Sequence, residues 1–211
     1  MTEPSFTRGE YWIIELAVKC TIPMAWLVSE ELEALFNKAH HNLSHDKLLD
    51  TIMRLVSSNL IFVKNKQKDS NLTARKPIKA AFEERRFEEG TYYGLTSKGG
   101  AWWEKFASPN WSNFIDHTSY YPDNSEIEQV EILCADKKHL KAYFQSLCFH
   151  EIEVEEETIR WDTISPWQAT YWKELPNGHR VRFKGKEKSQ QVYSPKEPSD
   201  SWWDKMWYEW G

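Results

Sequence analysis

Cysteine is scarce in this sequence, and its scarcity excludes a disulfide-stapled or zinc-ribbon fold. The three cysteines, Cys20, Cys134 and Cys148, lie far apart, and their number is odd. No two of them stand at the short spacing of a zinc site. Each falls within an apolar pattern, so we expect buried, reduced thiols of the kind found in cytoplasmic proteins.

Long apolar runs are also lacking. No stretch approaches the roughly 20 apolar residues that cross a bilayer. The first residues, MTEPSFTRGE, do not show the basic-then-apolar pattern of a secretory leader. These absences predict a cytoplasmic protein without a membrane partner.

Motifs of phosphate binding and nucleophilic catalysis are missing too. There is no P-loop, no G-x-G-x-x-G after a strand and no G-x-S-x-G. His40, His41 and His45 have no cysteine or carboxylate at a fitting metal-ligand interval, which favours a solvated connection. Cys148 and His150 lack an orienting acid, which favours a buried thiol over a nucleophile. We therefore expect a non-enzymatic protein with no catalytic residue, no metal and no cofactor.

Positive charge is not in excess. The formal net charge is −5. Residues 1–112 carry 15 Lys+Arg against 14 Asp+Glu, whereas residues 113–211 carry 12 against 18. Tight nucleic-acid binding releases counterions and needs clustered cations, and neither half has the bulk charge for it.

Tryptophan, by contrast, is abundant. Seven of the 12 tryptophans fall in the last 51 residues. Such density indicates heavy core packing or a contact surface of flat amphipathic rings, and core packing is the commoner reason. The seven are Trp161, Trp167, Trp172, Trp202, Trp203, Trp207 and Trp210.

The first half of the chain alternates helical and extended patterns. Apolar spacing predicts helices over 10–20, 30–39 and 45–58, then a strand over 60–66. A helix starting at Pro77 follows, then a returning strand over 91–96. Thr96 is expected to cap a further helix whose glycines, Gly99 and Gly100, permit close approach of another backbone and whose Trp102 faces inward.

The motifs LLDTIMRLVSSNLIFVKN and YYGLTSKGG, within residues 8–107, resemble those of the winged helix-turn-helix superfamily. The resemblance implies a winged-helix domain, here with a helix inserted in the wing. It also implies that the third helix could enter the major groove of DNA. The predicted first domain spans residues 1–112.

The residues that would face DNA in such a domain are mixed in charge. Asp46 and Asp50 share the outward face of the third helix and oppose phosphate binding. The outward face and the wing supply the candidate DNA-facing residues. These are Lys47, Thr51, Arg54, Lys64, Lys66 and Lys68.

The second half begins with a polar segment, 113–125, which its Pro, Asn and Ser content marks as a linker. Residues 126–211 then predict a small, Trp-rich α+β domain. A strand is followed by a helix that Asp136 caps, and by a strand in which acids alternate with Ile152 and Val154. Trp203, Met206, Trp207 and Trp210 mark a C-terminal helix.

Residues 167–183, WQATYWKELPNGHRVRF, predict an antiparallel hairpin with a three-residue Pro-Asn-Gly loop. That register sets Glu174 opposite Arg180, Trp172 opposite Arg182, and Tyr171 opposite Phe183. Arginines beside an aromatic ring are typical of protein interfaces and of single-strand binding. The candidate partner-binding residues are Trp172, Arg180, Arg182 and Lys184.

The fold class predicted is α+β, a winged-helix domain followed by a small domain with an antiparallel hairpin. The whole chain is also similar to an uncharacterised bacterial protein family of unknown function. The function expected is non-enzymatic binding of a protein partner. Two alternatives stay open: a DNA-binding transcriptional regulator that uses the winged helix, and an immunity-type protein whose acidic face masks a basic partner.

Overall fold

The computed structural model describes residues 5–29, 41–84, 90–122 and 125–188, which form a mixed α+β protein with several antiparallel sheets. The chain divides into two compact units. The first contains Met1–Ala107 together with Thr170–Lys173. The second contains Ser108–Ala169 and Glu174–Gly211.

The first unit contains four described α-helices, and two of them begin at a side-chain cap. Thr7 begins the first of them through a capping box: its hydroxyl accepts from the Glu10 N–H, and the Glu10 carboxylate accepts from the Thr7 N–H. This helix ends at Leu16, before its predicted end, and Cys20 beyond it is exposed rather than buried as expected. The helices are α1 (Arg8–Leu16), α2 (His45–Ser57), α3 (Arg75–Ala81) and α4 (Ser97–Ala107).

A four-stranded antiparallel sheet packs with these helices, and the order of its strands across the sheet is β1-β4-β2-β3. The sequence predicts that the strand over 91–96 pairs with the strand over 60–66. This pairing is confirmed, since Ile61 pairs with Leu95 and Val63 with Tyr93. The Tyr93 ring is fully buried, and its hydroxyl donates to the Ile13 carbonyl at 3.0 Å. The strands are β1 (Ile22–Pro23), β2 (Ile61–Asn65), β3 (Ser70–Asn71) and β4 (Thr91–Leu95).

The junction between β4 and α4 follows the predicted chemistry. The Thr96 hydroxyl accepts from the Gly99 N–H at 3.0 Å, so Thr96 caps α4. A Cβ added at Gly99 would lie 1.8 Å from the Leu60 carbonyl oxygen, which confirms the close backbone approach. The inward tryptophan, however, is Trp103, which is fully buried, whereas Trp102 is half-buried.

Some predictions fall on residues outside the described ranges. They are the helix over 30–39 and the C-terminal helix marked by Trp203, Met206, Trp207 and Trp210.

The second unit places one long helix against a five-stranded antiparallel sheet. The strand order is β5-β6-β11-β7, and β8 pairs with the same edge of β11 as β7 does. The remaining two strands, β9 and β10, form a separate pair. The elements are β5 (Ile115–Tyr120), β6 (Glu128–Cys134), α5 (Lys137–His150), β7 (Ile152–Val154), β8 (Arg160–Ile164), β9 (Trp167–Gln168), β10 (Glu174–Leu175) and β11 (Gly178–Glu187).

The segment 113–125, which the sequence predicts to be a linker, contains β5. This strand pairs with β6 from Ile115 opposite Cys134 to Tyr120 opposite Gln129. It lies at the edge of the sheet, so its polar side chains remain in water, and its composition resembles that of a loop.

The predicted hairpin over 167–183 is wrong. Arg180 lies opposite Leu133 of β6 and Asp162 of β8, not opposite Glu174. Both edges of β11 are occupied by other strands, and Glu174 pairs instead with Gln168 of β9. Pairing along all of β11 outweighs the local preference of the Pro-Asn-Gly turn.

Alternation along β11 gives its sheet two unlike faces. One face carries Val181 and Phe183, which pack in a core with Leu140 and Leu147 of α5. The other face carries Arg180, Arg182 and Lys184, of which Arg182 and Lys184 are exposed. We call the second face the polar face.

Candidate functional site

The polar face of the second unit brings together side chains from five strands. Register places Thr118 opposite Glu131 and Tyr120 opposite Gln129 across β5 and β6. Register also places Asp162 of β8 opposite Arg180. Counted with Glu153 of β7, which lies opposite Lys186, the face carries five cations and four carboxylates, and therefore a local charge of +1 in a half of the chain that is acidic overall. The cations are Arg160, Arg180, Arg182, Lys184 and Lys186, and the carboxylates are Asp116, Glu131, Glu153 and Asp162.

Arg180 is held rigidly at the centre of the face. Its Nε and Nη2 donate to the two oxygens of Asp162 at 2.7 and 2.8 Å, a bidentate pair. Its Nη1 donates to Glu131 Oε2 at 3.2 Å. These bonds to Arg180 lower the pKa of Asp162 below its ordinary value, so this carboxyl stays ionised. Arg180 thus serves mainly to fix its neighbours.

Arg182 shares the same carboxylate but remains largely available. Arg182 Nη2 donates to Asp162 Oδ2 at 3.0 Å, and half of the Arg182 side chain is exposed. Because Asp162 is already fixed by Arg180, the Arg182 guanidinium is oriented before any partner arrives.

Arg160 lies directly opposite Arg182 across β8 and β11. Like charges in directly opposite positions destabilise a strand pair. Arg160 Nη1 donates to the carbonyls of Glu157 and Ile159, at 2.7 and 2.8 Å, and these hydrogen bonds restrict movement of the Arg160 side chain away from Arg182. Asp162 pairs with Arg182, whereas Arg160 and the exposed Lys184 on either side of it have no ion pair among the described residues.

A groove of about 510 Å³ follows this cluster. Tyr120 at its rim is exposed, and its hydroxyl donates to Gln129 Oε1 at 2.7 Å. That bond orients the Gln129 amide so that its NH₂ group is the donor left for other contacts. Arg160, Arg182 and Lys184 line the same groove. The groove offers hydrogen-bond donors and positive charge, which suit an anionic, oxygen-rich ligand.

Trp172 does not join the arginines with which the sequence groups it. It belongs to the first unit, whereas Arg180, Arg182 and Lys184 belong to the second. Its indole N–H donates to the Val18 carbonyl at 2.8 Å, and its ring packs on Gly100.

Two of the three candidate DNA-facing residues on α2 are engaged with the protein itself. Thr51, expected to face outward, is buried and donates to the Lys47 carbonyl at 2.7 Å. Arg54 forms an ion pair with Glu10, with Nε and Oε1 2.8 Å apart. Lys47 itself is exposed.

In the segment that the sequence predicts to be a wing, Lys64 is paired with Asp69, while Lys66 and Lys68 are exposed. Three further cations lie on α3 and line a second cavity of about 440 Å³. They are Arg75, Lys76 and Lys79, of which Arg75 is paired with Asp50. The first unit thus shows scattered exposed cations among ion pairs.

His41 is not solvated, contrary to the interpretation of HHNLSH as an exposed connection. It is buried, its Nε2 lies 2.8 Å from the Leu27 carbonyl, and its Nδ1 accepts from the Leu43 N–H at 2.9 Å. The ring therefore donates from Nε2 and ties the start of α2 to the segment after β1. Within the described ranges, no three His, Cys, Asp or Glu side chains are grouped so as to hold a metal ion.

The core of the first unit holds a carboxyl group. Glu15 of α1 is 4% exposed, and burial raises its pKa from 4.5 to about 8. Burial together with the Glu15 charge raises the pKa of Tyr11 to about 12. Glu15 is consequently neutral over most of the physiological range.

Sequence reasoning finds Arg180, Arg182 and Lys184 but misses Arg160, Tyr120 and Gln129. The three it finds follow one another at alternate positions of one strand, which is a visible pattern. The three it misses lie on other strands and join the face only through register. Residues 116–120, DHTSY, are polar throughout and show no alternation that could have indicated Tyr120.

Among the described residues, no helix is both long and apolar enough to cross a bilayer. Comparison of the chain with protein-family models, with curated protein sequences and with solved structures finds no significant match.

Proposed function

We propose that this protein is a non-enzymatic binding module that engages a protein partner through the polar face of its second unit. The observation that carries the proposal is the arrangement of Asp162, Arg180 and Arg182. One carboxylate holds two guanidinium groups, and the outer one is half exposed. An arginine fixed in this way loses little side-chain entropy on binding.

The composition around Arg182 supports a protein partner. Arginine and tyrosine are enriched among the residues that dominate protein interfaces. Tyr120 at the groove rim is 59% exposed and held by Gln129, so it presents a flat, oriented ring beside the cations.

The test is recovery and rebinding of a partner with full-length protein. The face variant is Arg182→Glu with Lys184→Glu, and the matched control is Lys137→Glu with Lys138→Glu, which makes the same charge change at the exposed start of α5. A protein retained by wild type and control, and lost by the face variant, should rebind as a purified component. If no recovered protein rebinds, or if the face variant rebinds it as well as wild type does, the proposal fails.

A second candidate function is DNA binding by the first unit, as the winged-helix resemblance implies. Two observations favour it. The strands β2 and β4 pair on either side of the connection that contains α3, as expected of a wing with an inserted helix. The exposed Lys47 also lies on α2. Asp50 of the same helix is paired with Arg75 of α3, which also carries Lys76 and Lys79.

The charge of this surface argues against it. Arg54, Lys64 and Arg75 are each paired with a carboxylate, so few cations remain to neutralise phosphates. Titration of labelled duplex DNA at 50 and 150 mM salt distinguishes the candidates. Binding that weakens steeply with salt and is lost on Lys47→Glu with Lys76→Glu would support the regulator, and a flat titration at 50 mM would exclude it.

A further inference from the structure

We infer that the groove on the polar face recognises an extended protein segment rich in carboxylates. This inference rests on the proposed function and specifies the chemistry of the partner. Its starting point is the direct opposition of Arg160 and Arg182 across β8 and β11. Two guanidinium groups in that position repel each other in the free protein, and an anion placed between them removes the repulsion.

The carboxylates of the protein itself do not fill this role. Glu131 and Asp162 both bond to Arg180, and Asp162 gives only one oxygen to Arg182. Lys184, two residues further along β11, has no ion pair within the described ranges and lines the same groove. Three cations therefore face the groove together with one carboxylate, Glu131, which bonds to Arg180 and lies opposite Arg182.

The spacing of these cations fits an extended peptide. Arg182 and Lys184 occupy alternate positions of one strand, which places their Cα atoms roughly 7 Å apart on the same face. Alternate side chains of an extended partner have the same spacing. Acidic residues at every second position of such a segment would meet Arg182 and Lys184 in turn, and Arg160 would lie beside the first of them.

The surroundings favour a protein segment over a single-stranded nucleic acid. Sequence-tolerant strand binding uses several aromatic rings on which successive bases stack, along a continuous positive channel. The described lining of the groove has one exposed ring, Tyr120, since Phe183 is buried. The groove is lined by three cations and one carboxylate, Glu131, within a half of the chain near −6, which suits a few carboxylates rather than a long polyanion.

The experiment measures binding of a fluorescent eight-residue peptide with alternating Glu to the full-length protein. The comparison ligands are the same peptide with Gln in place of Glu, and oligothymidylate of equal charge. We expect the Gln peptide to bind at least about tenfold more weakly. Arg182→Glu with Lys184→Glu should weaken binding of the Glu peptide by at least about tenfold, which corresponds to the loss of a single good charge contact. The control Lys137→Glu with Lys138→Glu should leave its affinity within about twofold of wild type.

A second variant guards against misfolding of the first. Arg182→Gln with Lys184→Gln adds no carboxylate beside Asp162, and it should weaken binding of the Glu peptide by a smaller factor in the same direction. Circular dichroism of each variant checks that the fold is retained.

Three results would overturn the inference. The Glu and Gln peptides could bind equally, the face and control variants could weaken binding equally, or oligothymidylate could bind more tightly at the same residues. If the Glu peptide fails while a purified partner still rebinds in a manner sensitive to Arg182 and Lys184, the acidic chemistry is wrong and the proposed function stands.

Discussion

Replacing Glu15 by Gln should remove most of the stability that the first unit loses as pH rises from 4.5 to about 8. In the folded chain burial raises the Glu15 pKa to about 8, whereas its ordinary value is 4.5. Between those two values the folded protein holds a proton that the unfolded chain releases. Folding therefore takes up a proton in this range, and stability falls as pH rises through it.

The size of this loss of folding free energy follows from the difference between the two pKa values of Glu15. Each pKa unit corresponds to about 1.4 kcal/mol. The contribution of Glu15 is therefore full below pH 4.5, and on the order of 5 kcal/mol of it is lost by pH 9. The loss is large compared with the 5–15 kcal/mol typical of a domain. Gln keeps the shape of the protonated carboxyl and does not ionise.

The assay is urea unfolding at pH 5, 7 and 9, followed by tryptophan fluorescence. Wild type and Glu15→Gln should have similar free energies of unfolding at pH 5, and the variant should be the more stable at pH 9. Glu83→Gln, at an exposed carboxylate, is the control and should follow wild type. If the wild type and the Glu15 variant respond identically to pH, Glu15 is not protonated in the folded state.

Three further predictions concern single contacts measured by the same unfolding assay. The variants Arg160→Glu and Arg160→Gln both lose the guanidinium bonds to backbone carbonyls, but only the Glu variant turns the repulsion with Arg182 into attraction. The free energy of unfolding of the Glu variant should therefore exceed that of the Gln variant by about 0.5–1 kcal/mol. Equal stabilities would mean that the two charges do not interact. Gly99→Ala should destabilise by about 2 kcal/mol or more, because its Cβ would overlap the Leu60 carbonyl; a change below ~0.5 kcal/mol would contradict that approach. Asp136→Ala should cost about 1 kcal/mol through loss of the α5 cap, and Asp136→Asn should restore most of it.

Local signals in the sequence predict the parts of the fold that local contacts determine. The Thr96 cap and the Asp136 cap both follow from short-range patterns. A cap requires only one side chain and the N–H groups two or three residues away. These features are therefore readable without knowledge of the tertiary fold.

Long-range pairing accounts for the main failures. The turn chemistry at Pro176 and Gly178 favours a hairpin, but β11 gains many more backbone bonds with β6 and β8 than such a hairpin would give. The edge strand β5 is polar because one side of it faces water, so composition alone cannot separate it from a linker. Propensity is a weak guide wherever a strand finds its partner far along the chain.

The candidate site shows the same limit. Alternation reveals Arg182 as outward-facing, but its like-charged neighbour Arg160 lies on another strand and depends on register. Trp172 is near the arginines in sequence, yet it belongs to the other compact unit.

The position of β11 in the chain has a consequence for synthesis on the ribosome. It is the last strand among the described residues, and it is also the strand to which β6, β7 and β8 all pair. Until residue 187 has left the exit tunnel, β7 and β8 have no strand to join, and one edge of β6 stays open. The second unit therefore cannot close its sheet progressively, and its nascent strands stay exposed to aggregation or to chaperones until β11 is available to pair with them.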